Sequence, residues 1–130
     1  MSQGGEHEER ERQAALSQAL RREVNERRAA HREEDGLVEL VCECSDPTCE
    51  EVVCLSGDEY EFIRRVPVRL VVRPNHVQAE SERVLIEEPG RFVVVEKFGP
   101  TGDVVAHVDP RSRRLARRAA EPGEREAPGI

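Results

Sequence analysis

From Glu6 to about Glu33 the chain has neither proline nor glycine, and Leu16, Leu20 and Val24 recur at intervals of four with Ala15, Ala19 and Ala30 beside them. Apolar positions one turn apart define a helix that docks by one short stripe. Its surface carries the pairs Glu6–Arg10, Glu8–Arg12 and Glu23–Arg27, each with the acid on the favourable N-terminal side and worth ~0.2–0.5 kcal/mol. A two-chain coiled coil would need its apolar seam sustained over three heptads, which this stripe does not provide.

Asp35-Gly36 ends the helix, and the apolar period changes. Leu37–Cys42 and Glu51–Leu55 read as two short strands facing each other across a turn. Ser56, with Glu59 three residues later, is a capping box that opens a helix over Asp58–Arg65, with Tyr60 and Ile63 inward and Val66-Pro67 as the stop. Val68–Val72 is a compact apolar strand ending in a Pro74-Asn75-His76 turn, and a polar connection follows around Ala79–Ser81. Arg83–Glu87 and Arg91–Lys97 form a hairpin across Glu88-Pro89-Gly90, in which Phe92-Val93-Val94-Val95 is the most strand-like run of the chain. The middle region therefore reads β-β-α-β-β-β, with strand order left open.

After Gly99-Pro100 the periodic signal weakens. Asp103–His107 reads as a short helical turn, Pro110–Ala120 as a basic helix, and Glu121–Ile130, with its prolines and glycines, as disordered. The resulting division is a charged N-terminal helix over 1–36, an α+β domain over 37–99, and a basic segment with a disordered tail over 100–130. The fold class expected is α+β, a small zinc-stapled antiparallel β domain with one short helix, preceded by a long charged N-terminal helix.

Composition narrows the picture. Charged residues make up 36% and aromatics 3% of 130 residues, with no tryptophan, so the core must be small. Cores of this size contribute only a few kcal/mol, and a metal or disulfide commonly makes up the shortfall. Segment 1–36 holds 9 acidic and 7 basic residues, 37–99 holds 13 and 7, and 100–130 holds 5 and 6. An acidic central domain repels phosphate backbones. No apolar run approaches the length of a membrane span, and Met1–Arg12 is polar and acidic, so a cytoplasmic protein is expected. In a reducing compartment, clustered cysteines are metal ligands or redox groups more often than disulfides.

The candidate chemistry lies in Cys42-Glu43-Cys44-Ser45-Asp46-Pro47-Thr48-Cys49. Side chains at i and i+2 of a strand share a face, so Cys42 and Cys44 point together, and the Ser45–Thr48 turn brings Cys49 round to them. Three thiols at this spacing suit a tetrahedral zinc site that needs one more ligand. Cys54 and His76 are the candidates. His76, fixed in a Pro-Asn turn at a strand end, is favoured, which leaves Cys54 as a small apolar residue of its strand. The metal set is then Cys42, Cys44, Cys49 and His76. His7, His31 and His107 are assigned no chemistry.

The order Cys-Glu-Cys-x4-Cys, then Leu55 to Arg64 as Leu-x4-Tyr-Glu-x-Ile-Arg, then Val72-x-Pro-x-His76, Arg83-Val84 and Val93-Val94-Val95-Glu96-Lys97 resembles an uncharacterised family of small bacterial proteins. Arg22-Glu23-Val24-Asn25-Glu26-Arg27 is similar to what precedes the motif there, so the likeness spans about Arg21–Lys97. In that family the position of Cys54 need not be cysteine, which implies the same set of three cysteines and one histidine. The resemblance carries no established activity.

Catalysis by an open zinc would need a general base such as Glu43, Glu50 or Glu51. The His-x-Glu with Pro-Cys-x-x-Cys of zinc deaminases and the His-Glu-x-x-His of metalloproteases are both absent from the sequence. Arg111–Arg118 holds five arginines, but no aromatics interleave to stack bases. The expectation is a non-enzymatic, zinc-binding protein-interaction or regulatory module whose partner is another protein and whose oligomeric state is open. The alternatives are a thiol redox sensor that releases zinc on oxidation and a nucleic-acid-associated accessory protein.

Overall fold

A computed structural model describes residues 2–31 and 36–112, with side chains from Gly5 onward. Its elements are α1 (Ser2–Ala30), β1 (Leu37–Val41), β2 (Val52–Ser56), α2 (Gly57–Arg64), β3 (Arg69–Val72), β4 (Glu82–Glu88), β5 (Phe92–Lys97) and α3 (Gly99–His107). The chain is α+β, with the strands and first two helices close to where periodicity places them. The basic helix expected over Pro110–Ala120 is described only to Ser112, where residues 110–112 are helical. The rest of that segment, the tail Glu121–Ile130, and residues 32–35 at the expected end of α1 lie outside the described residues.

Two antiparallel sheets organise the middle. β1 and β2 pair from Leu37↔Ser56 to Val41↔Val52, and a three-stranded sheet runs in the order β3-β5-β4. The β4–β5 hairpin turns at Pro89-Gly90, where Gly90 has φ 74° and the Arg91 N–H donates to Glu88 O at 2.9 Å. Proline at the second position and a left-handed third residue give a type II turn. Apolar residues divide into two clusters. One joins the hairpin residues Val38, Leu40, Val53 and Leu55 to Tyr60, Ile63, Phe92 and Val94. The other joins Ala15 and Val105 to Leu70, Val72, Val93, Val95 and the thiols of Cys42 and Cys44.

The capping box forms as expected. The Glu59 N–H donates to Ser56 Oγ at 3.1 Å, and the Ser56 N–H to Glu59 Oε1 at 2.8 Å, while Tyr60 and Ile63 are buried. α3 is longer than the turn expected over Asp103–His107. It starts at Gly99 because Pro100 occupies its first turn, where no N–H is required. Gly102 lets the helix lie on the end of β5, since a Cβ there would sit 2.5 Å from Lys97 O.

The docking face of α1 is the main departure from the apolar pattern. The stripe Leu16, Leu20, Val24 is not the buried face: Leu20 is 64% exposed, and Leu16 and Val24 are only half-buried. The buried face is Ala15, Gln18, Ala19, Arg22, Asn25 and Ala29, which also repeats at three to four residues. Asn25 serves the edge of β1: its Oδ1 accepts the Val41 N–H at 2.9 Å and its Nδ2 donates to Val41 O at 2.9 Å. Arg22 donates to Pro67 O and, at 2.8 Å, to Val105 O. Polar side chains aimed at backbone groups that would otherwise be orphaned can seat a helix as well as leucines can, and hydrophobic periodicity does not register them.

Candidate metal centre

β1 ends at Val41, and its last ladder bond runs from the Cys42 N–H to Glu51 O at 3.0 Å. The next residue fixes the site. The Glu43 N–H donates to Val71 O at 2.9 Å, and the Val71 N–H donates to the Glu43 carboxylate at 3.0 Å. Glu43 thus lays the end of β1 against β3. Alternation turns its side chain into the core and the thiols of Cys42 and Cys44 the other way.

From β3 the chain turns at Pro74-Asn75. Asn75 has φ 73°, a conformation asparagine tolerates, and the His76 N–H closes the turn on Arg73 O at 3.1 Å. On the other side, Asp46 Oδ1 accepts from the Thr48 N–H at 2.9 Å and from its hydroxyl at 2.8 Å. The Cys49 N–H donates to Asp46 O at 3.1 Å. These bonds hold Asp46 below the usual carboxylate range and return Cys49 to the first two thiols.

The four donor atoms of Cys42, Cys44, Cys49 and His76 lie within 4.8 Å of one another. His76 Nδ1 is 3.5 Å from Cys42 Sγ and 3.6 Å from Cys49 Sγ. With zinc–sulfur bonds of about 2.3 Å and a zinc–nitrogen bond of about 2.0–2.1 Å, the sulfur–nitrogen edge of a tetrahedron is about 3.6 Å. The two edges from His76 Nδ1 match those of a tetrahedral metal site, and the four donors could hold a metal ion. All four cysteines are free thiols. Cys54 is not part of the cluster. It is also exposed rather than apolar filling, because on β2 it alternates with the buried Val53 and Leu55.

Two groups donate toward the thiols, against the cost of their burial. The Arg73 N–H donates to Cys42 Sγ at 3.2 Å, and the Arg21 guanidinium lies 3.8 Å from Cys44 Sγ. Burial pushes the Cys42 thiol up, the Arg73 N–H opposes this, and the neighbouring Cys44 and Cys49 thiols push it up further. Burial raises Cys44 as well. Both thiols would ionise readily beside a cation, which a bound dication would supply.

Glu43 is not a base facing this centre. Its carboxylate is fully buried, with Oε2 accepting Asn25 Nδ2 at 2.8 Å and Oε1 accepting the Val71 N–H, and burial raises its pKa. Sequence reasoning did not find Gln18, Arg21 and Asn25, which reach the Cys42–Cys44 segment from α1. The available signal was a run of polar residues sharing a helical face with Ala15 and Ala19. Comparison with family models, curated proteins and solved structures returned no match. No family is therefore established, and the likeness read from the motif order stays a resemblance.

Proposed function

We propose that this chain is a small zinc protein in which Cys42, Cys44, Cys49 and His76 hold one structural zinc ion, and that it works as a non-enzymatic interaction or regulatory module. The observation that carries this reading is the pair of Nδ1–Sγ distances at tetrahedral values, 3.5 and 3.6 Å, within a four-donor cluster. Soft thiolates with one imidazole favour zinc among the common divalent ions. Four protein donors fill a tetrahedron, and the acid between the first two cysteines is spent on Asn25 and Val71, which supports a closed site over a catalytic one. Among the described residues no helix is long and apolar enough to cross a membrane. Leu20, outward on α1 and 64% exposed, supports a protein partner for that helix. The five-arginine segment gives nucleic acid less support, since Arg111 is held by Glu26 and Glu61.

The test is metal content by mass spectrometry on the full chain purified without added metal, with cobalt substitution to read the coordination. About one zinc per chain, and the intense visible absorption of a tetrahedral thiolate site with cobalt, is expected for the native protein and for Cys54→Ser. Cys44→Ser and His76→Ala should lose it. A native chain without metal would refute the assignment.

A further inference from the structure

Resting on the metal-centre reading, we infer that occupancy of the Cys42, Cys44, Cys49, His76 cluster controls the seating of the N-terminal half of α1, so that metal loss frees this half while its C-terminal half stays docked. The two halves meet at Glu43, which Gln18 and Asn25 both touch, and are otherwise held by different parts of the molecule. Arg21 Nη1 donates to Cys42 O and to Cys44 O, each at 3.3 Å, and lies beside Cys44 Sγ. Gln18 Nε2 donates to Glu43 O and to Glu82 Oε2 on β4, each at 2.9 Å, so Arg21 is the contact of this half that rests on the Cys42–Cys44 segment alone. The spacing that turns two thiols toward the metal thus also presents consecutive carbonyls to α1. The C-terminal half has further anchors: Arg22 on Pro67 O and Val105 O, Asn25 on Val41 as well as on Glu43, and Glu26 on Tyr60, Arg64 and Arg111.

Residues 42 and 43 are fixed to Glu51 and Val71 by backbone bonds, but Cys44 has no ladder partner. Its position rests on the convergence of the thiols, a weak contact from its Sγ to Asp46 O at 4.0 Å, and Arg21 itself. Without the metal the Cys44 carbonyl, one of the two that Arg21 grips, loses that support, while Cys42 O stays fixed by its own backbone bond. The apolar grip of this half is modest, since Ala15 and Ala19 are its fully buried apolar residues and Leu16 is half-buried beside Val104 and Val108, and Gln18 Oε1 is buried with no hydrogen-bond partner. Its release would uncover the cluster of Val72, Val93, Val95 and Val105 that Ala15 caps. The freed surface is apolar and open only in the metal-free chain.

Hydrogen exchange on the full chain, zinc-loaded and then treated with a chelator, tests this, with zinc content measured alongside. Exchange across residues 11–21 should rise about tenfold or more on chelation, while residues 24–30 and α2 stay protected. Arg21→Ala should show the fast exchange in 11–21 at full zinc load, with little further rise on chelation. Zinc removal that leaves 11–21 unchanged would overturn the coupling and leave the zinc assignment standing. An equal rise over the whole chain would overturn it too, making the metal a global staple. A native chain that carries no zinc would remove the metal-centre reading and the coupling together.

Discussion

Replacing Glu26 by glutamine should cost about 3 kcal/mol at neutral pH, by two routes that agree. Glu26 joins α1 to α2 and to the start of the C-terminal segment. Oε2 accepts from the Tyr60 hydroxyl and from Arg64 Nε at 2.9 Å, and Oε1 accepts from Arg111 Nε at 3.0 Å. Burial is the largest influence on its pKa and pushes it up, but the hydrogen bonds from Arg111, Tyr60 and Arg64 together outweigh it and bring the group down to about 2. Against about 4.3 for an unfolded glutamate, that depression corresponds to about 3 kcal/mol of stability above the unfolded value. By the other route, glutamine turns one acceptor into a donor facing donors and weakens one or two charge-assisted bonds of about 1.5–3 kcal/mol each. Because the folded pKa is the lower one, the contribution is complete above about pH 4.3 and fades as pH falls toward 2. Urea unfolding of wild type and Glu26→Gln at equal metal load checks this, since acid release of metal cancels in the difference. The gap should hold from about pH 7 to 5 and narrow below about pH 4. A gap under about 1 kcal/mol at neutral pH, or one that does not narrow in acid, would refute the ion network as the anchor of α1.

Two further substitutions probe the packing. Leu20→Gln should leave the free energy of urea unfolding within about 0.5 kcal/mol, as expected of an exposed position, whereas Asn25→Ala, which orphans both polar groups of Val41 and one Glu43 oxygen, should cost about 3 kcal/mol or more; the reverse order would mean that α1 docks by its leucine stripe. Gly102→Ala places a Cβ 2.5 Å from Lys97 O and should lower stability by about 1–3 kcal/mol with the melting temperature as readout, so an unchanged melting temperature would show that α3 does not press on the end of β5.

What the sequence revealed divides by the kind of signal. Strands and α2 were legible because alternation, the Ser56–Glu59 box and the Pro-Gly turn are local, and local rules placed them within a residue or two. The grouping of Cys42, Cys44 and Cys49 was legible for the same reason. His76 could be favoured but not placed, because its approach depends on the pairing of Glu43 with Val71, and no spacing rule records a contact 28 residues apart. The docking face of α1 was misread because burial was equated with leucine and valine. Here the buried side carries Gln18, Arg22 and Asn25, whose partners are backbone groups of β1, the Cys42–Cys44 segment, Pro67 and α3. Strand order β3-β5-β4 was equally out of reach, since it follows from which faces the hairpin and α1 leave to be covered.

The polar face of α1 also explains how so small a core can fix a long helix in one register. Three alanines supply little transfer free energy, so hydrophobic burial would allow the helix to slide or roll by a residue at low cost. A shift of one residue turns a helix by about 100° and moves it about 1.5 Å, which would carry Asn25 away from both polar groups of Val41 and from Glu43 Oε2. Each buried polar group left without its partner costs about 1–3 kcal/mol, so alternative registers are excluded by what they strand more than the native one is favoured by what it buries. The same residue that enforces the register, Glu43, sits between two of the thiols. A displacement of the Cys42–Cys44 segment is therefore felt on both sides of it, at the four-donor cluster and along α1, which is the physical basis for expecting metal occupancy and helix seating to respond to each other.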